Sequence, residues 1–415
     1  MPEVINLASR IDKQLPAGMV DFMKVAGKAA QKQKQRLYLV GGVVRDLLLE
    51  RSNLDLDLVV EGDAINLAQE LAHLKQVEAT IHPQFGTAKV QWDNCSVDLA
   101  TARAETYAKP GALPTVRPDT ITSDLSRRDF TINAMAVELN PGHFGELLDP
   151  HGGRNDLENK LVRALHSKSF IDDATRIWRA LRYEQRLDYK IEPTTLRLLK
   201  RHTDMLATIS GDRIRHELEL VLKEAFPEKA LRRADELGVL THLHASIKCN
   251  GWLGEKFARA RTLSLPQPPP PVLYLALLSY RLTVDDIKEL ISYLRLPKSS
   301  AQALRDTAAI KAKIEELSVH GLAPSLIHAM LHGYAAPAYT VNSTATGSTI
   351  AAEHIELFIN VLCHVHPILT GEDIKQLGVP AGPRIRETLQ RLRKARLDGK
   401  VKSRKDEEEM VRGLS

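Results

Sequence analysis

Cysteine, aromatic residues and long apolar runs are all scarce in this chain of 415 residues. Its three cysteines, Cys95, Cys249 and Cys363, lie far apart, which argues against a disulfide framework and against a zinc site. No apolar run approaches the roughly 20 residues that cross a bilayer, and the longest, Val272 to Tyr280, predicts a buried helix. The first residues show no basic stretch followed by an apolar one, so no secretory signal is indicated. We therefore expect a cytoplasmic protein with no membrane partner.

Charge, by contrast, is ordinary in amount and uneven in distribution. Charged residues make up 26% of the chain, and the formal net charge is +5. The stretch from Arg391 to Lys405 holds eight Lys or Arg residues and one Asp. Such a stretch can neutralise phosphates along a nucleic-acid backbone, but it can equally be the solvated end of a helix.

The hydrophobic pattern changes character along the chain. Leu37 to Val40 is a short apolar run that ends at Gly41-Gly42, and Asn53 to Val60 alternates apolar and acidic residues as a half-buried strand does. Two more strands are predicted at 88–92 and 96–99, joined by a turn at Asp93-Asn94. From about Asp156 onward helical spacing dominates. The pattern predicts an α+β protein, with a small mixed α/β head around a central β-sheet followed by an all-α remainder.

The length predicts two or three domains. The segment Leu263 to Pro271 reads LSLPQPPPP and cannot continue a helix, so it is the best candidate for a linker. We predict a head at 1–155, a helical neck at 156–263, and a helical body and tail at 272–415.

Two acidic residues in the head suggest a metal site. Asp55 and Asp57 stand two apart on a predicted strand, so both carboxylates leave the same face. Neighbouring carboxylates repel one another unless a cation lies between them, and Mg²⁺ prefers such oxygen ligands. Asp98, at the end of another predicted strand, could bring a third carboxylate. A solvent-facing edge strand would also show two acids at this spacing.

Upstream of these acids lies a candidate phosphate site. Gly41 and Gly42 allow close backbone approach at a helix start, where free N–H groups favour anions. Arg45, in the first turn of that helix, could add charge-assisted hydrogen bonds to the same phosphates.

Three ordered motifs carry a family resemblance. LVGGVVRDLLL, NLDLDLVV and DLSRRDFTINAMA (Asp124 to Ala136) resemble the head motifs of class II tRNA nucleotidyltransferases and bacterial poly(A) polymerases. These enzymes belong to the DNA polymerase β-like nucleotidyltransferase superfamily. The resemblance continues into the helical part, over roughly residues 35–225, and implies a nucleotidyltransferase head followed by a helical neck, body and tail.

The resemblance assigns roles to residues of the head. Asp55 and Asp57 would hold two Mg²⁺ ions, and Asp98 falls where a third carboxylate of the superfamily could lie. Gly42 and Arg45 would bind phosphates, with Gly41 beside them. In the Arg-Arg-Asp motif, Arg128 would contact the nucleotide and Asp129 would reach the ribose.

A second set of charged residues follows in the predicted neck. Residues 173, 176, 179 and 182 are spaced by three on a helix predicted from Asp172 to Leu187, which would form a spiralling stripe. The stripe consists of Asp173, Arg176, Arg179 and Arg182. An exposed, salt-bridged helix would show the same spacing. The resemblance instead implies a nucleotide-selecting helix, and Asp173 and Arg176 match the family's acid-acid-x-x-Arg motif. The chain departs from the family in having Asp172 where Glu is usual.

Base chemistry explains why an acid and an arginine are wanted. Cytosine and adenine both present an amine donor beside a ring-nitrogen acceptor, so a carboxylate and a guanidinium complement either base. Guanine and uracil present the reverse order and would leave polar groups unpaired, at a cost of about 1–3 kcal/mol each. Asp173 and Arg176 would therefore select C and A, while Arg179 and Arg182 would add triphosphate or base contacts.

Later motifs give weaker signals. Arg213 and Glu217 lie four apart and suit a structural ion pair. By the resemblance, their motif would brace the nucleotide-selecting helix. The segment LTGEDIKQL (Leu369 to Leu377), leading into the basic stretch, is similar to the family's tail, which would grip tRNA by shape and phosphate contacts. No His-Asp dipeptide marks a phosphohydrolase domain.

We therefore expect a template-independent tRNA nucleotidyltransferase that uses CTP, ATP and Mg²⁺, with tRNA as partner and no protein partner implied. Partial A-adding or CC-adding enzymes and poly(A) polymerases share these motifs. The wording Ala-Leu-Pro-Thr-Val, within Glu105 to Thr120, looks more like a branch that contains A-adding specialists. A non-catalytic RNA-binding relative would have lost a metal carboxylate, and none is lost here.

Overall fold

The computed structural model describes residues 5–92, 95–112 and 114–413. The chain forms two compact units, Met1–Glu217 and Leu218–Ser415. The three-domain division made from the sequence remains a prediction.

A mixed β-sheet organises the first unit. Its seven strands run in the order β3-β4-β5-β2-β1-β8-β9, with β2 and β5 parallel and the other neighbours antiparallel. Two small ribbons, β6 with β7 and β10 with β11, lie outside this sheet. The strands are β1 Arg36–Val40, β2 Leu56–Glu61, β3 Ala79–His82, β4 Thr87–Trp92, β5 Cys95–Thr101, β6 Arg103–Thr106, β7 Thr115–Pro118, β8 Ala136–Glu138, β9 Leu147–Leu148, β10 Leu161–Val162 and β11 Lys190–Ile191.

Helices cover the sheet and extend the first unit. One face of the sheet, with Tyr38, Val40 and Val59, packs its apolar side chains against Ile121 and Leu125. The helices are α1 Ala8–Gln14, α2 Ala17–Lys32, α3 Gly42–Leu48, α4 Ala64–Lys75, α5 Ile121–Ser126, α6 Gly153–Glu158, α7 Ser169–Asp172, α8 Thr175–Leu187, α9 Pro193–Arg201 and α10 Gly211–Leu222. The division between the two units falls within α10, after Glu217.

The second unit is helical throughout its described residues. Its main core gathers residues of several helices, among them Ile310, Ile327 and Phe358, and a smaller cluster joins Leu369, Ile374, Leu392 and Val411. The helices are α11 Pro227–Glu236, α12 Gly251–Ser264, α13 Pro271–Leu278, α14 Val284–Tyr293, α15 Lys298–Lys311, α16 Ile314–Leu317, α17 Pro324–Leu331, α18 Ala336–Ala345, α19 Thr349–Asn360, α20 Gly371–Gln376, α21 Pro383–Leu397 and α22 Arg404–Arg412.

The predicted α+β class, with a mixed head followed by helices, is confirmed. The strands predicted near Leu37, Asp57, Val90 and Val97 are all present, and the apolar run after the proline segment is the buried helix α13. The proline segment itself joins α12 to α13 within the second unit. The predicted turn at Asp93-Asn94 lies outside the described residues. Among the described helices, none has both the length and the apolar character needed to cross a membrane.

One predicted helix is interrupted. The sequence predicts a continuous helix from Asp172 to Leu187, whereas α7 ends at Asp172 and α8 begins at Thr175. Asp173 is extended, with φ −142° and ψ 99°, and its carboxylate accepts hydrogen bonds from the backbone N–H and the hydroxyl of Thr175. Such local side-chain bonds compete with helical ones and explain the break. Asp173 therefore does not share a helical stripe with Arg176, and that part of the prediction is wrong.

Candidate active site

Three carboxylates meet where β2 and β5 pair. The parallel register places Asp57 opposite Asp98, and Asp55 directly precedes β2. One carboxylate oxygen of each lies within 4.8 Å of the others. Lys89 of the neighbouring strand pairs with Asp98 at 3.1 Å. A cluster of hard oxygen ligands of this kind fits a divalent cation.

The electrostatics of Asp57 fit the same role. Removal from water and the neighbouring charge of Asp55 together raise the pKa of Asp57 to about 6, although Arg128 acts in the opposite direction. A cation placed at the carboxylates would relieve this repulsion and favour the ionised form of Asp57.

Gly41 leaves room for the Arg128 guanidinium beside the carboxylate cluster. It follows β1 with φ 78°, and a side chain there would bring Cβ to 2.9 Å from Nη1 of Arg128. Gly42 then begins α3. The turn therefore requires glycine at position 41, both for its backbone conformation and for the space that Arg128 occupies.

A buried acid fixes the two consecutive arginines. Asp124 is fully buried and accepts from Arg127 at 2.6 Å through one oxygen and from Arg128 at 3.0 Å through the other. Arg127 also bonds to Glu105 at 2.8 Å. This shared acid orients the Arg128 guanidinium beside Gly41.

The side chain of Arg45 is more deeply buried than a phosphate-binding arginine at a protein surface would be. It is 3% exposed, its guanidinium pairs with both oxygens of Asp46, and Nη1 donates to Asn133 at 2.7 Å. It also lies over the Tyr183 ring, 5.3 Å from its centroid. Arg45 lines the cleft with its guanidinium held in place by Asp46 and Asn133.

The buried Asp129 forms an ion pair with Arg179, whose side chain is one-third exposed. Arg179 donates to Asp129 Oδ2 at 2.6 Å, while Asp129 Oδ1 accepts from the Phe130 N–H and from Asn133. These partners hold the pKa of the Asp129 carboxyl below its usual range despite the opposing effect of burial. Both oxygens of Asp129 thus have protein partners in this conformation.

Asp173 and Arg176 lie at the same cleft although only Arg176 is on α8. Asp173 Oδ1 accepts hydrogen bonds from Arg213, at 2.7 Å, and from Thr175. The other carboxylate oxygen, Oδ2, accepts none of these hydrogen bonds. Arg176 is 5% exposed and donates to Ser169 Oγ and to the carbonyl of Arg127. The predicted pairing of Arg213 with Glu217 is wrong for the described residues, because Arg213 pairs with Asp173 and Glu217 instead approaches Arg179 and Arg182.

One cleft of about 880 Å³ collects most of the residues singled out from the sequence. Asp98 and Arg182 are not part of its lining. Asp98 lies next to the cleft, in the carboxylate cluster with Asp55 and Asp57. Arg182 is buried, with its guanidinium over the Tyr183 ring. The predicted residues that line the cleft are Gly41, Gly42, Arg45, Asp55, Asp57, Arg128, Asp129, Asp173, Arg176 and Arg179.

Two family models match the chain. The poly A polymerase head domain matches residues 37–163, and a probable RNA- and SrmB-binding site of polymerase A matches residues 188–248. The A-adding tRNA nucleotidyltransferase of Halalkalibacterium halodurans is 33% identical over 97% of this chain and 94% of its own length. This chain belongs to the class II tRNA nucleotidyltransferase and poly(A) polymerase family. It is therefore a nucleotidyltransferase.

Other relatives differ in the reaction that their names state. The A-adding tRNA nucleotidyltransferase of Geobacter sulfurreducens is 34% identical over 98% of this chain, which spans only 48% of that relative's length. The CC-adding tRNA nucleotidyltransferase of Deinococcus radiodurans is 32% identical over 99% of this chain and 96% of its own.

Solved structures of the family have the same fold. A CCA-adding enzyme in complex with ATP superimposes with a TM-score of 0.81 at 29% identity, over 100% of both chains. The Thermotoga maritima CCA-adding enzyme complexed with tRNA gives a TM-score of 0.78 at 28% identity, over 99% of both chains.

Several residues of this nucleotidyltransferase's cleft were missed in the sequence. Tyr107 and Glu105 line it, and the Tyr107 hydroxyl donates to Glu105 at 2.8 Å. Arg213 also lines it, although its sequence spacing pointed to Glu217. Glu105 and Tyr107 lie between two head motifs in a segment that carries no periodic signal, and Arg213 lies far along the chain. Only their long-range contacts reveal them.

Proposed function

We propose that the chain is a tRNA nucleotidyltransferase that adds C and A nucleotides from CTP and ATP to the 3′ end of tRNA without a nucleic-acid template. The observation that carries this proposal is one cleft in which the Asp55–Asp57 carboxylates lie together with Asp173 and Arg176. The named reactions of the relatives support the substrates. A cytoplasmic location would follow from tRNA as the partner.

Asp55 and Asp57 would hold Mg²⁺, with Asp98 as a third carboxylate beside them. When bound, this metal would favour ionisation of the attacking 3′-hydroxyl and neutralise charge on the triphosphate. Arg128, oriented by Asp124, places its guanidinium beside Gly41, where phosphate oxygens can approach the backbone. Lys89 holds Asp98 in place through their ion pair.

Base choice would rest on Asp173 and Arg176. Asp173 keeps one oxygen for Thr175 and Arg213, which leaves Oδ2 to accept from the amine of C or A. Arg176 is fixed by Ser169 and by the Arg127 carbonyl, so its guanidinium enters the cleft in a set orientation. A fixed acceptor beside a fixed donor discriminates through the cost of unpaired polar groups.

The Asp129–Arg179 pair would lie beside the ribose. Because both Asp129 oxygens already have partners, a ribose contact would require Asp129 to share or exchange one of its bonds with Arg179 or Asn133. Arg179 and Arg182 would place positive charge near the triphosphate or the base. Their common neighbour Glu217 sets their positions.

A primer-extension assay with defined tRNA ends tests the proposal. Transcripts that lack the terminal CCA, lack only the final A, or are complete are each incubated with CTP, ATP, both together, UTP or GTP, and the products are resolved to single nucleotides. The proposed enzyme completes the first two transcripts and leaves the third unchanged, and UTP and GTP are poor substrates. Failure to extend any of them would contradict it.

A-adding activity alone is a second candidate. It is favoured by the two A-adding relatives, of Halalkalibacterium halodurans and Geobacter sulfurreducens, whose matches cover nearly the whole chain. In the same assay, an A-adding enzyme extends only the transcript that lacks the final A. A CC-adding enzyme stops one nucleotide short, and a poly(A) polymerase extends the complete transcript.

A further inference from the structure

The rings of Phe358, His328 and His332 form a ladder of neighbouring rings from the core of the second unit to its surface. Phe358 of α19 is 2% exposed, and its ring centroid lies 5.7 Å from that of His328 in α17. His332, just beyond α17, stacks on His328 at 4.9 Å with an interplanar angle of 16°. His332 is exposed, so its ring presents the end of the ladder to solvent.

The two histidines line a pocket between α17 and α21. Its volume is about 370 Å³, enough for a nucleotide-sized ligand. His328 is 7% exposed and its buried Nε2 has no hydrogen-bond partner. Burial, with the nearby charge of Arg393, lowers the pKa of His328 to about 4, so this ring is neutral at pH 7. A buried polar atom without a partner is costly and points to a ligand or a water at that place.

The opposite wall of the pocket is cationic. Arg393 donates to the Val365 carbonyl at 2.9 Å and contacts His366, which fixes its guanidinium, and Lys394 next to it is exposed. Asp398, at the end of α21, accepts from Ser325 through both oxygens, at 3.0 and 2.9 Å. Asp398 therefore joins α21 to the start of α17. Because both of its oxygens are bonded to Ser325, the positive charges of Arg393 and Lys394 remain available to an anion.

A metal ion is a poorer occupant than an organic anion. Within the described residues, three ligand atoms of His, Cys, Asp or Glu converge only at Asp55, Asp57 and Asp98. The histidines of the pocket offer parallel ring faces instead of convergent nitrogens.

We propose that the pocket between α17 and α21 binds a nucleotide unit, with its base against the His332 ring and its phosphate against Arg393 and Lys394. Histidine rings and guanidinium planes are common stacking partners for unpaired bases, and basic side chains beside them hold the phosphate. The unit can come from a free nucleotide or from an unstacked nucleotide of RNA. The RNA source rests on the proposed function, whereas the pocket chemistry does not.

Histidine ring signals in ¹H–¹³C spectra of the full-length protein test the site directly. The His332 signal is assigned by its loss in His332→Asn, and AMP, CMP, inorganic phosphate and a tRNA transcript are titrated separately. AMP or CMP should shift the His332 signal while the exposed His320 signal stays in place. If only tRNA shifts it, the source is RNA. If neither a nucleotide nor tRNA shifts it, the proposal is overturned.

Substitutions then distinguish stacking of a base on His332 from a general effect of positive charge on binding. His332→Ala should weaken binding of the ligand that shifts this signal roughly fivefold or more, whereas His332→Phe, which retains a flat ring, should not. Lys394→Ala should weaken it more than Arg386→Ala, an equal loss of charge on the exposed surface of the same helix. Equal effects of the two charge variants, or a harmless His332→Ala, would overturn the site. Because these are binding measurements, they remain informative even if the chain adds no nucleotide to tRNA.

Discussion

The Asp173 carboxylate lies 2.7 Å from the Arg213 guanidinium, although 40 residues separate the two in sequence. This bond, with those from Thr175, holds Asp173 in the extended break before α8. Arg213 also donates to the carbonyl of Gly111, in the connection between β6 and β7. The residue proposed to read the base is thus positioned both by Thr175 of α8 and by Arg213 of α10.

Asp173→Ala should reduce discrimination against UTP and GTP more than it reduces triphosphate binding. The substitution removes an acceptor for the C or A amine and also removes repulsion of a U or G carbonyl. Correct nucleotides should lose about 1–3 kcal/mol of transition-state stabilisation, and incorrect ones appreciably less. The ratio of kcat/KM for the correct nucleotide over UTP measures this, with Asp172→Ala as the matched control. A ratio that survives in Asp173→Ala would assign base choice elsewhere.

Asp129→Ala should destabilise the fold as well as impair nucleotide addition. It leaves Arg179 without its closest acid and removes the acceptor for Asn133 and the Phe130 N–H. Leaving such donors without their acceptor costs roughly 1–3 kcal/mol, which thermal or urea unfolding at pH 7 would detect. The lowered pKa of Asp129 means that this stabilisation is present above the ordinary carboxyl pKa and is lost as pH falls through the lower, folded-state value. Asp21→Asn, at an exposed site on α2, should change stability little, and equal effects of the two would refute this role.

Asp57→Asn should make the metal-free protein more stable at pH 7.5 than the unsubstituted chain. The pKa of Asp57 is raised to about 6, so the folded protein holds this proton more tightly than the unfolded chain does. Its contribution to stability therefore declines as pH rises from the ordinary carboxyl pKa to about 6. Thermal unfolding in EDTA should show the gain at pH 7.5 and little difference near pH 4. Added Mg²⁺ should stabilise the unsubstituted protein and not the variant. A variant that is less stable at pH 7.5 would contradict the proposed charge repulsion.

Neutralising Arg391, Lys400 and Lys402 together should flatten the salt dependence of tRNA binding. All three are exposed in the basic stretch. For each phosphate that the variant no longer neutralises, the slope of log affinity against log salt should fall by roughly 0.7–0.9. Lys28→Gln, an exposed charge on α2, is the control. An unchanged slope in the triple variant would assign the basic stretch to solubility.

The sequence predicts local features of this site better than its long-range contacts. The alternation around Asp57 and the double glycine after Val40 were sufficient to predict β2, β1 and the turn, because those signals are local. The pairing of Asp57 opposite Asp98 depends on the register of two parallel strands that are distant in sequence, so only a third carboxylate nearby could be expected.

The break at Asp173 is a feature that the local pattern failed to predict. Spacing by three predicted a helix through this residue, but a carboxylate that bonds to the N–H and hydroxyl two residues ahead favours an extended conformation. Arg213 adds an ion pair to Asp173 in the extended conformation, and no pattern around Asp173 could reveal that partner. Spacing likewise favoured Glu217 as the partner of Arg213, because it does not show which face of α10 meets the cleft.

Single-turnover A addition tests the central claim most directly. A tRNA that lacks only its final A is mixed with excess enzyme, ATP and Mg²⁺, and the extended product is followed by rapid quench for the unsubstituted chain and for Asp55→Asn and Asp57→Asn. If these carboxylates hold the metal, both variants should lose at least about a thousandfold in rate, equivalent to some 4 kcal/mol of transition-state stabilisation, while filter binding shows little change in tRNA affinity. Addition by either variant at a rate near that of the unsubstituted chain would contradict the account.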